Sequence, residues 1–303
     1  MSYYYKVFGL TCISDVELPA FSAGNENTPV DFEVKLTSKL PDFQNPTNES
    51  DEYCQYNETE FFYQVEEIAR YFVRDGKEIW IEPLSEDWGS ILMYFYSNSI
   101  GALLFQKNLI PFHVSGILDK DGGVWLFAAP SQTGKSTTAL KLKEKGFDIF
   151  TDDTALIYVK DGKCLAVPSY PMIRAWKKTL DNQTVYSDDE ASQIHTETDK
   201  YGIFFHEHFR DIPRLVKGIV FLEQEGSEIR IEKLRAMQGL ENLRNNVYRG
   251  YWIEGMNKQV IQFKALTSIA QKVSFWKANR PADQPSFDTF AEAIIDQVIE
   301  VKP

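Results

Sequence analysis

Over the first hundred residues the apolar positions come in short aromatic-rich runs separated by turn formers. Tyr3–Leu10, Val30–Leu36, Glu60–Val73 and Ile79–Glu82 are rich in β-branched and aromatic residues, which predicts strands. Asp75-Gly76, between Ala69–Arg74 and Glu78–Ile81, predicts a hairpin turn. Residues 41–59 are polar and turn-rich and predict a long exposed loop, and the apolar stretch Ser90–Leu104 predicts a helix leading into a second unit. From residue 110 the pattern changes. His113–Leu118 reads as a strand, Asp121-Gly122-Gly123 as a turn, Val124–Ala128 as an apolar strand, Thr137–Lys145 as a helix closed by Gly146, and Phe147–Phe150 as the next strand. Asp161-Gly162 predicts a second hairpin, between Leu156–Val159 and Cys164–Val167. Lys217–Leu222 and Glu228–Leu234 read as strands, and the polar, acidic stretch 177–200 as a mobile segment. Near the end, Phe287, Phe290, Ala291, Ile294, Ile295 and Val298 recur at helical spacing after Pro285-Ser286, which predicts an amphipathic helix. The pattern predicts an α/β chain in two units: a smaller β-rich one over 1–99 and a larger one over 100–303.

Charge sharpens that division. Of the 303 residues 44 are acidic and 32 basic, a net of −12. Residues 1–100 hold 18 acidic and 6 basic side chains, and the remainder holds 26 of each, so the whole excess lies in the first unit. The acidic balance argues against general nucleic-acid binding, which needs a basic face. A hydrophobic share of 43% excludes disorder, and the longest apolar runs, such as Val124–Pro130, are too short to span a bilayer. Met1–Lys6 lacks the charged start and apolar core of a signal peptide. Three widely spaced cysteines, Cys12, Cys54 and Cys164, fit a reducing cytoplasm, with neither a disulfide framework nor a zinc site.

The chemistry concentrates in one segment. The apolar strand Val124–Ala128 runs into Ala129-Pro130-Ser131-Gln132-Thr133-Gly134-Lys135-Ser136-Thr137, which opens a helix. Each residue type has a task in holding a triphosphate. In the loop Pro130–Thr137, the backbone N–H groups that follow the proline and the helix N-terminus present positive partial charge to phosphate oxygens. Gly134 allows close approach, Lys135 places a charge by the β- and γ-phosphates, and the Ser136 hydroxyl can ligate Mg²⁺. Thr137 either touches the phosphate or caps the helix. Where the usual phosphate loop begins with glycine this chain has Ala129, so the loop must turn without glycine's freedom there.

Phe147–Thr151 delivers Asp152 and Asp153 to a strand end. A carboxylate there can hold Mg²⁺, the Walker-B role, and its neighbour can take a proton from an acceptor hydroxyl. Two adjacent carboxylates repel, so one is expected to carry a raised pKa; the sequence leaves open which is base and which metal ligand. His113 stands 22 positions before Lys135 on the preceding strand, near the phosphate end of the sheet if that strand pairs with Val124–Ala128. His206-Glu207-His208 has the spacing of a metal-binding strand face, a weaker case.

With these residues in place, the central block resembles the HPr kinase/phosphorylase superfamily and its HPr-kinase-related branch. The likeness rests on His113–Leu118, on Ala129–Leu140 and on Phe150–Asp153, with 17 positions from Lys135 to Asp152. Weaker counterparts are Tyr5–Leu10, Pro171–Trp176, Asp199-Lys200-Tyr201, Leu215–Glu223, Asn245–Tyr248 and Arg280-Pro281. The resemblance implies an ATP- and Mg²⁺-dependent P-loop kinase core with a mixed sheet in the C-terminal unit, related to phosphoenolpyruvate carboxykinase rather than to ordinary P-loop NTPases. It also implies an Asp cluster that is both metal-binding and general base, with the His nearby. Within the branch the chain is most similar to members that phosphorylate the C-terminal serine of lasso-peptide precursors. The Glu-Ile-Arg-Gly stretch of true HPr kinases does not follow the Asp pair. Arg174 and Lys200 are candidates for the extra positive charge that phosphoryl transfer needs.

The expected partner is therefore a peptide or small protein offering a serine hydroxyl, with no nucleic acid and no membrane; a homo-oligomer is compatible. A small hydroxy metabolite as acceptor, or a nucleotide sensor without turnover, are the other readings. A GTPase lacks support, because Asn257-Lys258-Gln259-Val260 has no Asp in the base-reading position. A serine hydrolase would need a Gly-x-Ser-x-Gly elbow, which is missing.

Overall fold

Left-handed turns divide the first predicted runs. Phe8 and Gly9, at φ 52° and 72°, reverse the chain between β1 (Tyr3–Val7) and β2 (Leu10–Ser14), so Tyr3–Leu10 is a hairpin corner rather than one strand. After β3 (Ser22–Ala23), β4 (Phe32–Leu36) and β5 (Cys54–Tyr56), a turn with Glu67 at φ 57° splits Glu60–Val73 into β6 (Glu60–Val65) and β7 (Ala69–Arg74). Asp75-Gly76 turns β7 into β8 (Glu78–Pro83). The computed structural model describes residues 2–44, 52–181, 183–186, 191–193, 200–207, 209–282 and 286–300, without the side chains of 178, 191–193 and 200. Within the predicted loop 41–59, β5 pairs with β6, and 45–51 lie outside the described residues. The first sheet has the order β3-β1-β2-β4-β8-β7-β6-β5 and is mixed, with β2/β4 and β4/β8 parallel.

The helix predicted over Ser90–Leu104 is continuous from Trp88 to Gln106: α1 (Trp88–Tyr94), a π-helical segment Phe95–Ser99, and α2 (Ile100–Gln106). Asp87 starts it by accepting the Ser90 backbone N–H at 3.1 Å. Ile91, Phe95, Leu103 and Phe105 are fully buried. Each such side chain contributes about 2–3 kcal/mol of transfer free energy.

The second sheet is built from β9 (Pro111–Phe112), β10 (Val114–Leu118), β11 (Val124–Ala128), β12 (Asp148–Thr151), β13 (Ala155–Lys160) and β14 (Lys163–Pro168), with α3 (Lys135–Glu144) between β11 and β12. Helix α3 begins two residues earlier than its apolar pattern predicts, because Gly134 at φ 106° ends the loop and Lys135 is already helical. Next come β15 (Met172–Trp176), a four-residue helix α4 (Lys177–Leu180), β16 (Ala191–Gln193) and β17 (Lys200–Phe204), the three strands forming a separate small sheet. The segment expected to be mobile, 177–200, thus carries regular structure at both ends, and 187–190 and 194–199 lie outside the described residues. The chain continues through β18 (Arg214–Gln224), β19 (Arg230–Leu234), α5 (Ala236–Asn245), α6 (Gln259–Ala270), β20 (Ser274–Arg280) and α7 (Phe287–Ile294), which runs on as a π turn to Ile299.

Direction in this sheet decides where the chemistry gathers. β18 lies between β11 and β20 and is parallel to both, and β10 is antiparallel to both β11 and β12. The carboxyl ends of β11, β12, β18 and β20 therefore share one edge with the amino end of β10. Helices α3 and α7 cover one face through Leu140, Leu142, Phe290 and Ile294 against Phe127, Ile149 and Val220. The other apolar cluster runs from the first sheet and its helix, through Phe95 and Phe105, to Phe112, Leu126 and Ile219. The molecule is thus a mixed α/β fold with mixed sheets.

Candidate functional site

At that edge β11 ends in the predicted loop. Ala129 is buried and is not among the positive-φ residues, so glycine's freedom is not needed at that position. The left-handed positions are Gln132 at φ 67° and Gly134 at φ 106°. Gly134 is required twice over: a Cβ there would also meet the Phe287 ring at 2.8 Å. Pro130, Ser131 and Gln132 are exposed, and Thr133 is half-buried. Lys135 is buried and folds back on the loop, its Nζ donating to the carbonyl of Ala129 at 2.8 Å and to that of Pro130 at 3.4 Å. Thr137 meets Thr179 of α4 at 3.2 Å through the hydroxyls, and its neighbour Thr138 closes the first helical turn by donating its N–H to Gly134. The first-turn amides of α3 open onto the loop.

Two carboxylates follow β12, with different surroundings. Asp152 is buried and accepts hydrogen bonds from the Ser115 hydroxyl at 2.5 Å, the Ser136 hydroxyl at 2.9 and 3.1 Å, and the Arg174 backbone N–H at 2.9 Å. Burial pushes its carboxyl up, and the Asp153 charge adds to this; the hydrogen bonds from Ser115, Arg174 and Ser136 pull the other way without cancelling it. Asp153 holds a left-handed backbone at φ 65° and keeps about a fifth of its side chain exposed. Burial alone would raise it, but Arg174 and then His113 outweigh that and hold it below the usual carboxylate range. The Arg174 Nη1 lies 3.4 Å from one of its oxygens and the His113 Nε2 3.6 Å from the other. The raised pKa and the accessible position thus fall on different members of the pair.

Neighbouring residues lock this arrangement. Arg174 Nη2 donates to the Tyr170 hydroxyl at 2.8 Å. The His113 backbone N–H donates to Asn246 and the Tyr248 N–H to Pro111, which sets the Tyr248 ring edge-on to His113 at 5.9 Å. Burial pushes the Tyr248 hydroxyl up to about 12, so it remains a donor at neutral pH. The Thr151 hydroxyl donates to the Thr154 carbonyl and meets Ser169, fixing the turn that presents the Asp pair.

The predicted residues His113, Lys135, Ser136, Asp152 and Asp153 therefore lie together at one edge of the second sheet, and Arg174 reaches them from β15 of the small sheet. Lys200 is the first residue of β17, paired with Trp176 through the backbone; its side chain lies outside what the structure describes, as do His195 and His208. His206 Nε2 lies 3.0 Å from the Pro19 carbonyl. Sequence reasoning gave no site role to Ser115, Tyr170 or Tyr248, although Ser115 and Tyr248 lie within segments that carry the resemblance. Ser115 had a signal: it stands two residues after His113, where strand alternation favours the same face. Tyr170 and Tyr248 had none of that kind, because separate long-range pairings bring them in.

Among the described residues no group of three or more His, Cys, Asp or Glu is arranged to hold a metal ion. Ser136 Oγ and the Asp152 carboxylate, already in contact, form a hard oxygen pair. That pair fits Mg²⁺, which binds through one or two protein oxygens and completes its shell with phosphate and water. Also among the described residues, no helix is long and apolar enough to cross a membrane. The three cysteines are free.

No protein-family model matches the chain, and no curated protein matches it. Among solved structures, the HPr(Ser) kinase/phosphatase from Coxiella burnetii is similar over 61% of this chain and 93% of its own, at 10% identity and a TM-score of 0.31. A likeness at that level carries no functional argument, which rests on the residues above.

Proposed function

We propose that the protein is an ATP- and Mg²⁺-dependent phosphotransferase acting on a hydroxyl acceptor. One observation carries this reading: the Ser136 hydroxyl at the start of α3 touches Asp152, while Asp153 beside it is held by Arg174 and His113. A triphosphate seated on Pro130–Thr137 would meet the Lys135 charge, and Ser136 with Asp152 would hold Mg²⁺, which neutralises charge on the phosphates when bound. The acceptor hydroxyl approaches on the Asp153 side. Its oxygen forms a bond to the γ-phosphorus as the bond from that phosphorus to the bridging oxygen of ADP breaks. Its proton passes to the Asp153 carboxylate. In a loose transition state the proton leaves late, when the attacking oxygen has become acidic, so a carboxylate held low suffices. Arg174 is placed to steady Asp153 and to offset charge on the transferring group. The phosphate-loop kinase core, of the HPr kinase and phosphoenolpyruvate carboxykinase type in its C-terminal unit, belongs to this proposal.

The finer reading, that the acceptor is a peptide's serine and in particular the C-terminal serine of a lasso-peptide precursor, draws on the sequence resemblance. Incubating the full chain with MgATP and serine-ended peptides, then weighing the products, tests it. Gain of one phosphoryl group by the peptide is expected. D153N should slow transfer by about 10²–10⁴-fold. Transfer to a free hydroxy metabolite but not to peptide would replace the acceptor. ATP binding without transfer to any acceptor would replace the enzyme with a binding module.

A further inference from the structure

Strand β20 ends at Arg280, on the same edge as the loop. The residue is only 7% exposed, yet among the described residues it forms no ion pair with a carboxylate. Its contacts are with neutral groups. Nη2 donates to Gln224 Oε1 at the end of β18 at 2.9 Å, Nη1 reaches the Pro281 carbonyl at 3.4 Å, and the guanidinium centre sits 4.1 Å above the Phe287 ring. Nε is buried and has no hydrogen-bond partner among the described residues. An unpaired buried cation is costly, and the usual remedies are a counter-charge or a shift to the neutral form; arginine does not deprotonate in proteins. Its surroundings say where an anion would be. A Cβ built on Gly134, the residue before Lys135, would lie 2.8 Å from Phe287 and 3.8 Å from Arg280 Nη2. The guanidinium therefore stands against the phosphate-binding turn, with its planar face held by Phe287 and one corner by Gln224. A preset guanidinium fork of this kind suits phosphate oxygens.

We propose that Arg280 is a phosphate-binding residue of the nucleotide site, donating to the phosphate chain of a nucleoside triphosphate seated on the Pro130–Thr137 loop. This rests on the nucleotide reading above. It assigns the residue to the phosphates rather than to the base, so any polyphosphate is a ligand of this corner. Phe287, which opens α7, and Gln224 are its positioning residues.

Titration calorimetry on the full chain tests this, with MgATP, inorganic tripolyphosphate and adenosine as probes for the wild type, R280Q and R280K. The expected result is a loss of about tenfold to a hundredfold in affinity for both MgATP and tripolyphosphate in R280Q. R280K should keep part of that affinity, and adenosine should bind all three proteins alike. The rise in melting temperature caused by MgATP should shrink in R280Q in step with affinity. Wild-type affinity for both phosphate probes in R280Q, or an equal loss for adenosine, overturns the proposal. Should R280Q fail to fold, R280K decides: unchanged tripolyphosphate affinity there overturns it, and a loss confined to the phosphate probes supports it. A wild-type chain that binds no MgATP fails the nucleotide reading itself. MgATP binding that K135A abolishes and R280Q leaves untouched fails only the assignment of Arg280.

Discussion

Asp152 and Asp153 are adjacent in sequence, yet their surroundings push them in opposite directions. Burial raises Asp152, whereas Arg174 and His113 depress Asp153 against the effect of burial. The two isosteric amides should therefore differ in stability. D152N removes a costly buried charge and should stabilise the ligand-free protein by about 1 kcal/mol while impairing transfer. D153N strips Arg174 of its counter-charge and should destabilise by about 2 kcal/mol, between the values for exposed and buried pairs. The pH signs also differ. The Asp153 contribution is fully present above the ordinary aspartate value of 3.8 and is lost as pH falls through its lower folded value. The D152N gain should be absent in acid and grow as pH rises through the raised folded value of Asp152. Urea unfolding of the three proteins across pH 3–8 checks both signs, and parallel profiles would contradict them. Only part of this was legible in the sequence. The carboxylate pair and the serine of the loop announce themselves locally. The difference between the two carboxylates depends on Ser115 and on Arg174, which reach the pair through tertiary packing.

At the scale of elements, the segment β11–loop–α3 was the most legible, because strand, loop and helix each leave a local signature. Its tightest point is Gly134, where a positive φ coincides with the approach of α7. G134A should cost more than about 2 kcal/mol in stability and abolish MgATP binding, measured by thermal melting and calorimetry. Retained binding with only a small loss of stability would show that the Phe287 ring yields. Helices α5 and α6 were not legible. Their N-cap positions are Arg235 and Lys258 rather than Ser, Thr, Asp or Asn, so the usual N-cap residue is missing from both. The small sheet β15-β17-β16 was missed for a related reason: β15 meets its partner β17 only after an intervening polar stretch, and local alternation carries no record of such pairing.

Across the whole molecule, charge separates the two sequence units but packing joins them. Phe21 and Tyr96, from the acidic first third, pack on Tyr170 at 5.8 and 5.5 Å between ring centres, and Tyr170 holds Arg174. Phe8 donates its N–H to the Ser169 carbonyl beside it. Excising residues 1–99 would therefore disturb the site as well as remove acidic surface. A gentler probe is Y170F, which keeps the ring and removes the hydroxyl that Arg174 donates to. Transfer should fall by about tenfold with little change in MgATP affinity, read as a loss in kcat at nearly constant KM for ATP. An unchanged kcat would mean that Asp153 alone is enough to hold Arg174.

The chain of rings from Phe21 through Tyr170 to Arg174 has a thermodynamic consequence, because coupling between sites is reciprocal. If order in the first sheet helps hold the arginine, a nucleotide engaging the site must stabilise the first sheet by the same free energy. Amide hydrogen exchange reads this directly. Saturating MgATP should slow exchange in β1 and β2, and the Y170F protein should lose part of that distant protection. The acidic sheet would then serve as a gauge of occupancy at a site to which it contributes no ligand.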